Sequence, residues 1–424
     1  MTVSILIGDV RDRLRTMPAE SVDCVVTSPP YWGLRDYDVD GQIGLEPTLA
    51  EHLTVMVEVF EEVRRVLKPT GTLWLNYGDC YATAPNGRSA AEAKAVGGDD
   101  RTFRDKPFST IGGVLKPKDL CMVPNRLAIA LQEAGWWVRS EIIWAKPNPM
   151  PESVKDRPAS SHEKIFLLSK APHYYYDAAA VRQEAVGQTA HDLTGGRYAP
   201  PGQPAHSGTR TARRDSFARV SKDTPGAHGQ KPQNRPDRED IAYPRGAGRS
   251  LRNWEPASLE VWPIATRPFS EAHFATFPPE LAERCILAGA PAKCCSTCGA
   301  PVVRAVETEL VPTAKAAKRN VVDDRDGRAD RQDAGSNRAK DGHVLGWSNR
   351  VTTTGFAKSC ACVDPGTVPG VVLDPFGGAG TTALVADRHG LDCTIIELNP
   401  KYAEIARRRL SADQGLFAQI EVAA

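Results

Sequence analysis

An α/β fold built on a parallel sheet is predicted by three features of the sequence. Short apolar runs alternate with segments of helical periodicity through the first 180 residues. The alternation returns from residue 366 onward. Between them lie polar stretches that interrupt the pattern. Strands that alternate with helices bury both faces of a sheet and need parallel crossovers.

The elements follow in order. Val3–Ile7 is a short apolar run ended by Gly8-Asp9, and Val22–Thr27 is a strand stopped by Ser28-Pro29-Pro30. From Leu49 to Leu67, apolar residues recur at helical spacing (Leu53, Met56, Val57, Phe60, Val63, Leu67). Lys68-Pro69-Thr70-Gly71 is expected to terminate that helix, because proline and glycine cannot extend it. Thr72–Asn76 is then a strand, Asn125–Ala134 a helix ended by Gly135, and Trp137–Trp144 and Ile165–Ser169 are strands. Near the end, Val371–Leu373 is a strand, Thr381–His389 a helix closed by Gly390, Cys393–Glu397 a strand and Pro400–Leu410 a helix.

Composition bounds the function. With 424 residues, 41% hydrophobic and 25% charged, the chain can bury a sizeable core. A net charge of +1 excludes a uniformly basic nucleic-acid coat but not a local basic patch. No apolar run is long enough to span a membrane. The start, Met1-Thr2-Val3-Ser4-Ile5-Leu6, has no basic segment before an apolar run, so a cytoplasmic location is expected. Residues 195–250 contain 15 Gly plus Pro and carry 11 Lys plus Arg against 5 Asp plus Glu, a loop-rich basic insertion. Residues 313–344 hold 14 charges and no aromatic residue, and read as a solvated tether. The expected division is 1–180, a basic insertion at 181–250, a return to the core at 251–291, a cysteine-bearing insertion at 292–365, and 366–424.

Two turns carry the chemistry. The first is Asp374-Pro-Phe376-Gly377-Gly378-Ala-Gly380-Thr381-Thr382, between a strand and a helix. Glycines let backbone approach a ligand, and the helix start offers free N–H groups. Glu397, nineteen residues after Gly378, ends the next strand, where an acid can hold both ribose hydroxyls of an adenosine. Gly378-x-Gly380-x-x-Ala383 also fits a dinucleotide fingerprint, so an NAD-linked oxidoreductase and a purely structural turn stay open on this loop alone. The second turn is Thr27-Ser28-Pro29-Pro30-Tyr31-Trp32. Its prolines stiffen it and remove donors. Ser28 Oγ and the Pro29 carbonyl can accept hydrogen bonds from an amino group, and Tyr31, with Trp32, can stack on a flat base. A Pro-rich turn with core aromatics is the competing reading.

Together the two turns resemble the beta group of DNA amino-methyltransferases. Thr27–Tyr31 is similar to their catalytic motif and Asp374–Thr382 to their S-adenosylmethionine loop. The resemblance covers about residues 3–180 and 250–410. It implies a Rossmann-like methyltransferase sheet with permuted motif order. It also implies attack of an exocyclic amine of an extruded base in double-stranded DNA on the cofactor's methyl group, with Ser28, Pro29, Pro30 and Tyr31 as the catalytic set. Asp9, Phe274, Thr276, Asp374, Phe376, Gly377, Gly378, Gly380, Thr381 and Glu397 are the implied cofactor residues. Asp9 belongs by analogy with a family motif, and Phe274 and Thr276 because Phe269–Pro278 resembles the segment closing over the methionine part. Ser at position 28 is similar to the cytosine-N4 enzymes, with adenine N6 as the alternative. A non-catalytic DNA-binding module of the same fold is a further alternative. A ring-carbon methyltransferase needs an activated cysteine in a Pro-Cys pair, which the chain lacks. The resemblance also implies a bacterial or phage source. A restriction endonuclease of the same site would be a separate protein, not a required subunit.

Two features stand beside these. Cys295-Ser-Thr-Cys298-Gly299 has the shape of a zinc knuckle, and Cys360-Ala-Cys362 would complete a structural site of four thiolates. Unpaired surface thiols, or Cys294 in place of one ligand, are the competing readings. Arg210, Arg213, Arg214 and Arg219 form the densest basic cluster of the insertion and suit phosphate contact. Trp144-Ala-Lys146-Pro-Asn148-Pro-Met-Pro151 is rigid enough to line a target cleft.

Overall fold

The computed structural model describes residues 2–34, 39–84, 109–181, 260–267, 277–312, 347–363, 366–414 and 419–423. The elements are β1 (Val3–Ile7), α1 (Val10–Thr16), β2 (Val22–Thr27), α2 (Leu49–Val66), β3 (Leu67–Tyr77), α3 (Val123–Glu133), β4 (Trp137–Ala145) and β5 (His162–Ser169). There follow β6 (Val261–Pro263), α4 (Pro279–Gly289), β7 (Lys293–Cys295), β8 (Val302–Pro312), β9 (Trp347–Lys358), β10 (Thr367–Pro369) and β11 (Val371–Asp374). The last are α5 (Thr381–Arg388), β12 (Asp392–Glu397), α6 (Pro400–Gln414) and β13 (Ile420–Ala423). The larger of two compact units comprises Met1–Gln183, Ala257–Glu307 and Thr352–Ala424. The smaller, Glu184–Pro256 with Thr308–Val351, lies outside the described residues apart from the distal parts of β8 and β9. The 195–250 insertion and the 313–344 tether therefore fall outside the described residues.

Nine strands form one sheet in the order β13-β1-β12-β11-β2-β3-β5-β4-β6. The early strand β2 thus lies beside the late strand β11, with Cys24 opposite Val372 and Val25 opposite Leu373. The sheet is mixed rather than wholly parallel, because β5 runs antiparallel to both β3 and β4. The link from β4 to β5 contains no helix, and a strand joined without a crossover returns antiparallel.

All six residues of β2 are buried, as a central strand covered on both faces requires. Cys24 and Val26 face the core beneath α4, α5 and α6. Val22 and Val25 face the core beneath α2 and α3. The helix α2 starts on a capping box between Thr48 and Glu51. The helix ends at Val66, just before Lys68–Gly71 as expected, but β3 begins directly at Leu67 and not at Thr72. Val22 pairs with Leu67 and Cys24 with Thr72, so the Lys-Pro-Thr-Gly run bulges out of the ladder. Lys68 Nζ is held there at 2.8 Å from both oxygens of the buried Asp23, which also accepts from the Val371 N–H at 2.9 Å. Among the described residues, no helix is long and apolar enough to cross a membrane.

Candidate active site

A cavity of about 700 Å³ opens at the carboxyl ends of β2 and β11. Parallel strands bind ligands at that edge. Ser28, Pro29, Pro30 and Tyr31 line one part of it, and Phe376, Gly377, Gly378 and Thr381 another. Asp9, Glu397, Phe277 and the segment Trp144–Met150 contribute further walls. Stretches more than three hundred positions apart in sequence therefore share one cleft, because β2 and β11 are neighbours.

The Ser-Pro-Pro-Tyr turn is braced from behind. Tyr77 Oη lies 3.2 Å from the Pro30 carbonyl oxygen and accepts from the Trp32 N–H at 3.0 Å. His52 is buried between Tyr77 Oη, 2.8 Å from Nε2, and Glu46 Oε2, 2.7 Å from Nδ1. The turn's shape therefore does not depend on the Ser28 hydroxyl. The Tyr31 ring packs on Tyr77 at 4.8 Å between centroids. Gly78 permits this contact, since a Cβ there would come within 2.6 Å of the ring. Trp32 is buried at 2% exposure and donates Nε1–H to the Glu46 carbonyl at 2.9 Å. It is scaffold and not part of a stacking face.

The glycine loop is shaped by its neighbours. Gly378 has φ +51° and Gly380, the residue before α5, φ +74°. The Gly378 N–H donates to Glu397 Oε2 at 2.8 Å, and the Asn399 N–H to Oε1 at 2.8 Å. Burial pushes the Glu397 carboxyl above its ordinary value. Asp374, expected at the ligand, does not line the cavity. It is 1% exposed and accepts from Thr27 Oγ1 and Thr382 Oγ1, each at 2.7 Å, and from the Phe376 N–H at 3.0 Å. Gly380 also stays out of the cavity wall, and a Cβ on it would lie 3.0 Å from Ala406 Cβ. Asp9 does reach the cavity, but Arg11 engages both its oxygens at 3.0 and 2.7 Å and holds the carboxyl below its ordinary range. Phe274, Thr276, Arg210, Arg213, Arg214 and Arg219 lie outside the described residues.

A model of the N6/N4 DNA methylase family matches residues 22–293. A Type II methyltransferase of Citrobacter freundii, M.Cfr9I, is 34% identical over 98% of this chain and 90% of its own length. The Serratia marcescens enzyme M.SmaI is 32% identical over 96% of this chain and 90% of its own. The chain belongs to the N6/N4 DNA methylase family. Among solved structures, the PvuII DNA methyltransferase, named as cytosine-N4-specific, aligns with a TM-score of 0.47 at 15% identity over 96% of this chain and 86% of its own.

The cavity also holds two polar groups that sequence reasoning missed, Asn76 and Glu163, beside Lys146 of the segment expected to line a cleft. Asn76, at the end of β3, is 3% exposed; its Nδ2 lies 3.0 Å from Glu163 Oε2, 3.1 Å from Tyr31 Oη and 3.4 Å from Ser28 Oγ. Glu163 also accepts from Tyr31 Oη at 2.8 Å and is ion-paired with Lys146. Lys146 Nζ sits over the Trp144 ring, 4.5 Å from its centroid. Burial, reinforced by the Glu163 charge, holds the Tyr31 phenol well above its ordinary value. The only available signal was polarity at the mouths of otherwise apolar strands. Cys24, expected in the core, is fully buried, and desolvation pushes its thiol up to about 12.

Elsewhere in the methylase, Cys295, Cys298, Cys360 and Cys362 place their sulfurs within 4.8 Å of one another. Four sulfurs around one zinc ion at about 2.3 Å would be separated by roughly 3.8 Å, so the group fits without rearranging the chain. Gly299, at φ +70°, turns the knuckle, and its N–H donates to the Cys295 carbonyl at 2.9 Å. Backbone N–H groups of Cys298 and Thr297 hold the Cys295 thiol down at about 6. Cys294 is not in this group; its sulfur points to Asp23 Oδ1 at 3.5 Å.

Proposed function

We propose that this methylase transfers a methyl group from S-adenosylmethionine to the exocyclic N4 of a cytosine extruded from double-stranded DNA. The observation that carries the reading is the shared cavity, with an acceptor-rich turn on one wall and a glycine loop with a buried carboxylate on another. Its volume lies within the range of small-molecule sites. Gly378 and Glu397 form a cradle that fits an adenosine, with Glu397 Oε atoms already oriented by two backbone donors. S-Adenosylmethionine, when bound, supplies an electrophilic methyl group on a sulfonium. Ser28 Oγ and the Pro29 carbonyl accept from the amine's two N–H groups. That draws the nitrogen toward tetrahedral geometry and frees its lone pair from the ring, so the rate gain comes from orientation and electrostatics. The Tyr31 ring supplies a stacking face for an extruded base.

The preference for cytosine N4 rests on Ser28, whose type matches the N4 enzymes in the resembled family. Duplex contact is assigned to residues 181–250 on composition, with Arg210, Arg213, Arg214 and Arg219 meeting phosphates. The deciding experiment is methylation of unmodified mixed-sequence DNA, followed by nucleoside mass spectrometry. N4-methylcytosine is the expected product. N6-methyladenine would overturn the base assignment alone, and no methylated base would overturn the reading.

The four cysteines are proposed to hold a structural zinc ion. It would join the knuckle after β7 to the segment after β9 and so close the long connection between them, limiting its closure entropy. Four thiolates leave no open position, so the ion takes no part in methyl transfer. Protein purified without chelator should contain about one zinc per chain by elemental analysis. Cys360→Ser together with Cys362→Ser should abolish that content while the sheet's circular dichroism persists. Zinc at background level in the unmodified protein would sink the assignment.

A further inference from the structure

A serine hydroxyl can donate or accept, so placing Ser28 beside an amine does not by itself make it an acceptor. The groups behind it decide. Glu163 Oε2, as a carboxylate, only accepts, and Tyr31 Oη lies 2.8 Å from it. Tyr31 has one hydroxyl proton, which that carboxylate takes. A lone pair of Tyr31 Oη then faces Ser28 Oγ at 3.2 Å, and draws the serine proton away from the cavity. Asn76 Nδ2 fixes the same three oxygens from the side, and Lys146 holds the other carboxylate oxygen. The hydrogen bonds therefore run in one direction, Ser28 to Tyr31 to Glu163, and leave Ser28 lone pairs for the incoming amine.

We propose that Glu163 is the positioning residue that polarises Ser28 through Tyr31, and the terminal acceptor of the proton that the amine loses. The inference rests on the DNA-amine methylation reading above. The amine nitrogen bonds to the methyl carbon as the carbon–sulfur bond breaks, with its electron pair left on sulfur. The nitrogen then sheds one proton to Ser28 Oγ. The serine's own proton passes to Tyr31 Oη, and the tyrosine's to Glu163 Oε2. Both hydroxyls end neutral, the base is neutral and methylated, and the carboxyl carries one proton, released to solvent before the next turnover.

The test uses the full chain, radiolabelled S-adenosylmethionine and an unmethylated random-insert plasmid library. Glu163→Gln and Tyr31→Phe should each lower kcat about 100-fold, while S-adenosylhomocysteine affinity and Tm stay near those of the unmodified protein. Tyr31→Phe keeps the ring, so packing and stacking survive. The double variant should be no slower than either single one, because both cut the same chain. In both variants the loss should fall on kcat, with KM for DNA and for S-adenosylmethionine nearly unchanged. A Glu163→Gln enzyme within threefold of unmodified kcat, losses that multiply in the double variant, or a loss carried by KM instead of kcat would each overturn the proposal. If the unmodified protein methylates no DNA amine, the underlying reading fails instead. Should Glu163→Gln not fold, the kcat of Tyr31→Phe decides, and a value within threefold of the unmodified protein overturns the proposal.

Discussion

Replacing Ser28 by alanine lowers kcat about 10²–10³-fold and leaves S-adenosylhomocysteine affinity nearly unchanged. Two features of the site separate the effects. The turn is held by Tyr77, His52 and the prolines, so loss of the hydroxyl leaves its shape intact. The hydroxyl's own partners, Tyr31 Oη at 3.2 Å and Asn76 Nδ2 at 3.4 Å, are long contacts, so stability falls by less than about 1 kcal/mol. The glycine loop that would bind cofactor is fixed separately, by Glu397 and Asp374. What disappears is an acceptor aimed at the position where positive charge develops on nitrogen, a stabilisation felt in the transition state more than in the ground state. Single-turnover rates with saturating cofactor, set beside equilibrium binding of S-adenosylhomocysteine, check this. Equal losses in both would mean that the serine supports the wall of the cavity and not the reaction.

Much of the site was legible because its chemistry sits in contiguous turns. Ser28–Tyr31 and Phe376–Gly378 announce themselves by proline, glycine and strand-end placement, and both reach the cavity. The pair Cys295 and Cys298 stands out in the sequence for the same reason, although only the fold brings Cys360 and Cys362 to it. The scaffold behind the site was not. Asn76, Glu163 and Lys146 come from the ends of three strands, and nothing local marks them as one network. His52 reads in the sequence as one more residue of an amphipathic helix, yet it is fully buried against Tyr77. The strand β5 was expected at Ile165–Ser169, but not its antiparallel direction, because an apolar run has no direction until its partners are known. The short helix α1 carries under two turns of pattern, too few for periodicity to register. Asp374 was misjudged because a loop resemblance names positions and not the way side chains point.

That misplaced aspartate yields the other large effect. Asp374→Ala should destabilise the fold by about 2–4 kcal/mol, because it leaves two buried donors facing no acceptor. These are the Thr27 hydroxyl and the Phe376 N–H; the Thr382 hydroxyl keeps the Val26 carbonyl at 3.3 Å. Asp374→Asn should behave differently, and its effect should depend on pH. Burial pushes the Asp374 carboxyl up to about 6 from its ordinary 3.8, against the donors from Thr382 and Thr27. A carboxyl raised in the folded state contributes stability that is complete below its unfolded value and lost as pH climbs through about 6. Above that, keeping it ionised in the core costs on the order of 3 kcal/mol. Asparagine is neutral throughout and nearly isosteric. Its oxygen can serve Thr27 and Phe376, and its amide can donate to Thr382 Oγ1, whose hydroxyl then turns to the Val26 carbonyl at 3.3 Å. Relative to the unmodified protein, D374N should therefore gain stability steadily between pH 4 and pH 7 and hold that gain above. Urea unfolding at three pH values checks it, and parallel profiles would show that the carboxyl does not titrate in this window. Asp374 and Thr382 tie the end of β11 and the start of α5 to the end of β2. Loss of the tie in D374A should thus weaken S-adenosylhomocysteine binding and turnover alike, the pattern that Ser28→Ala does not show.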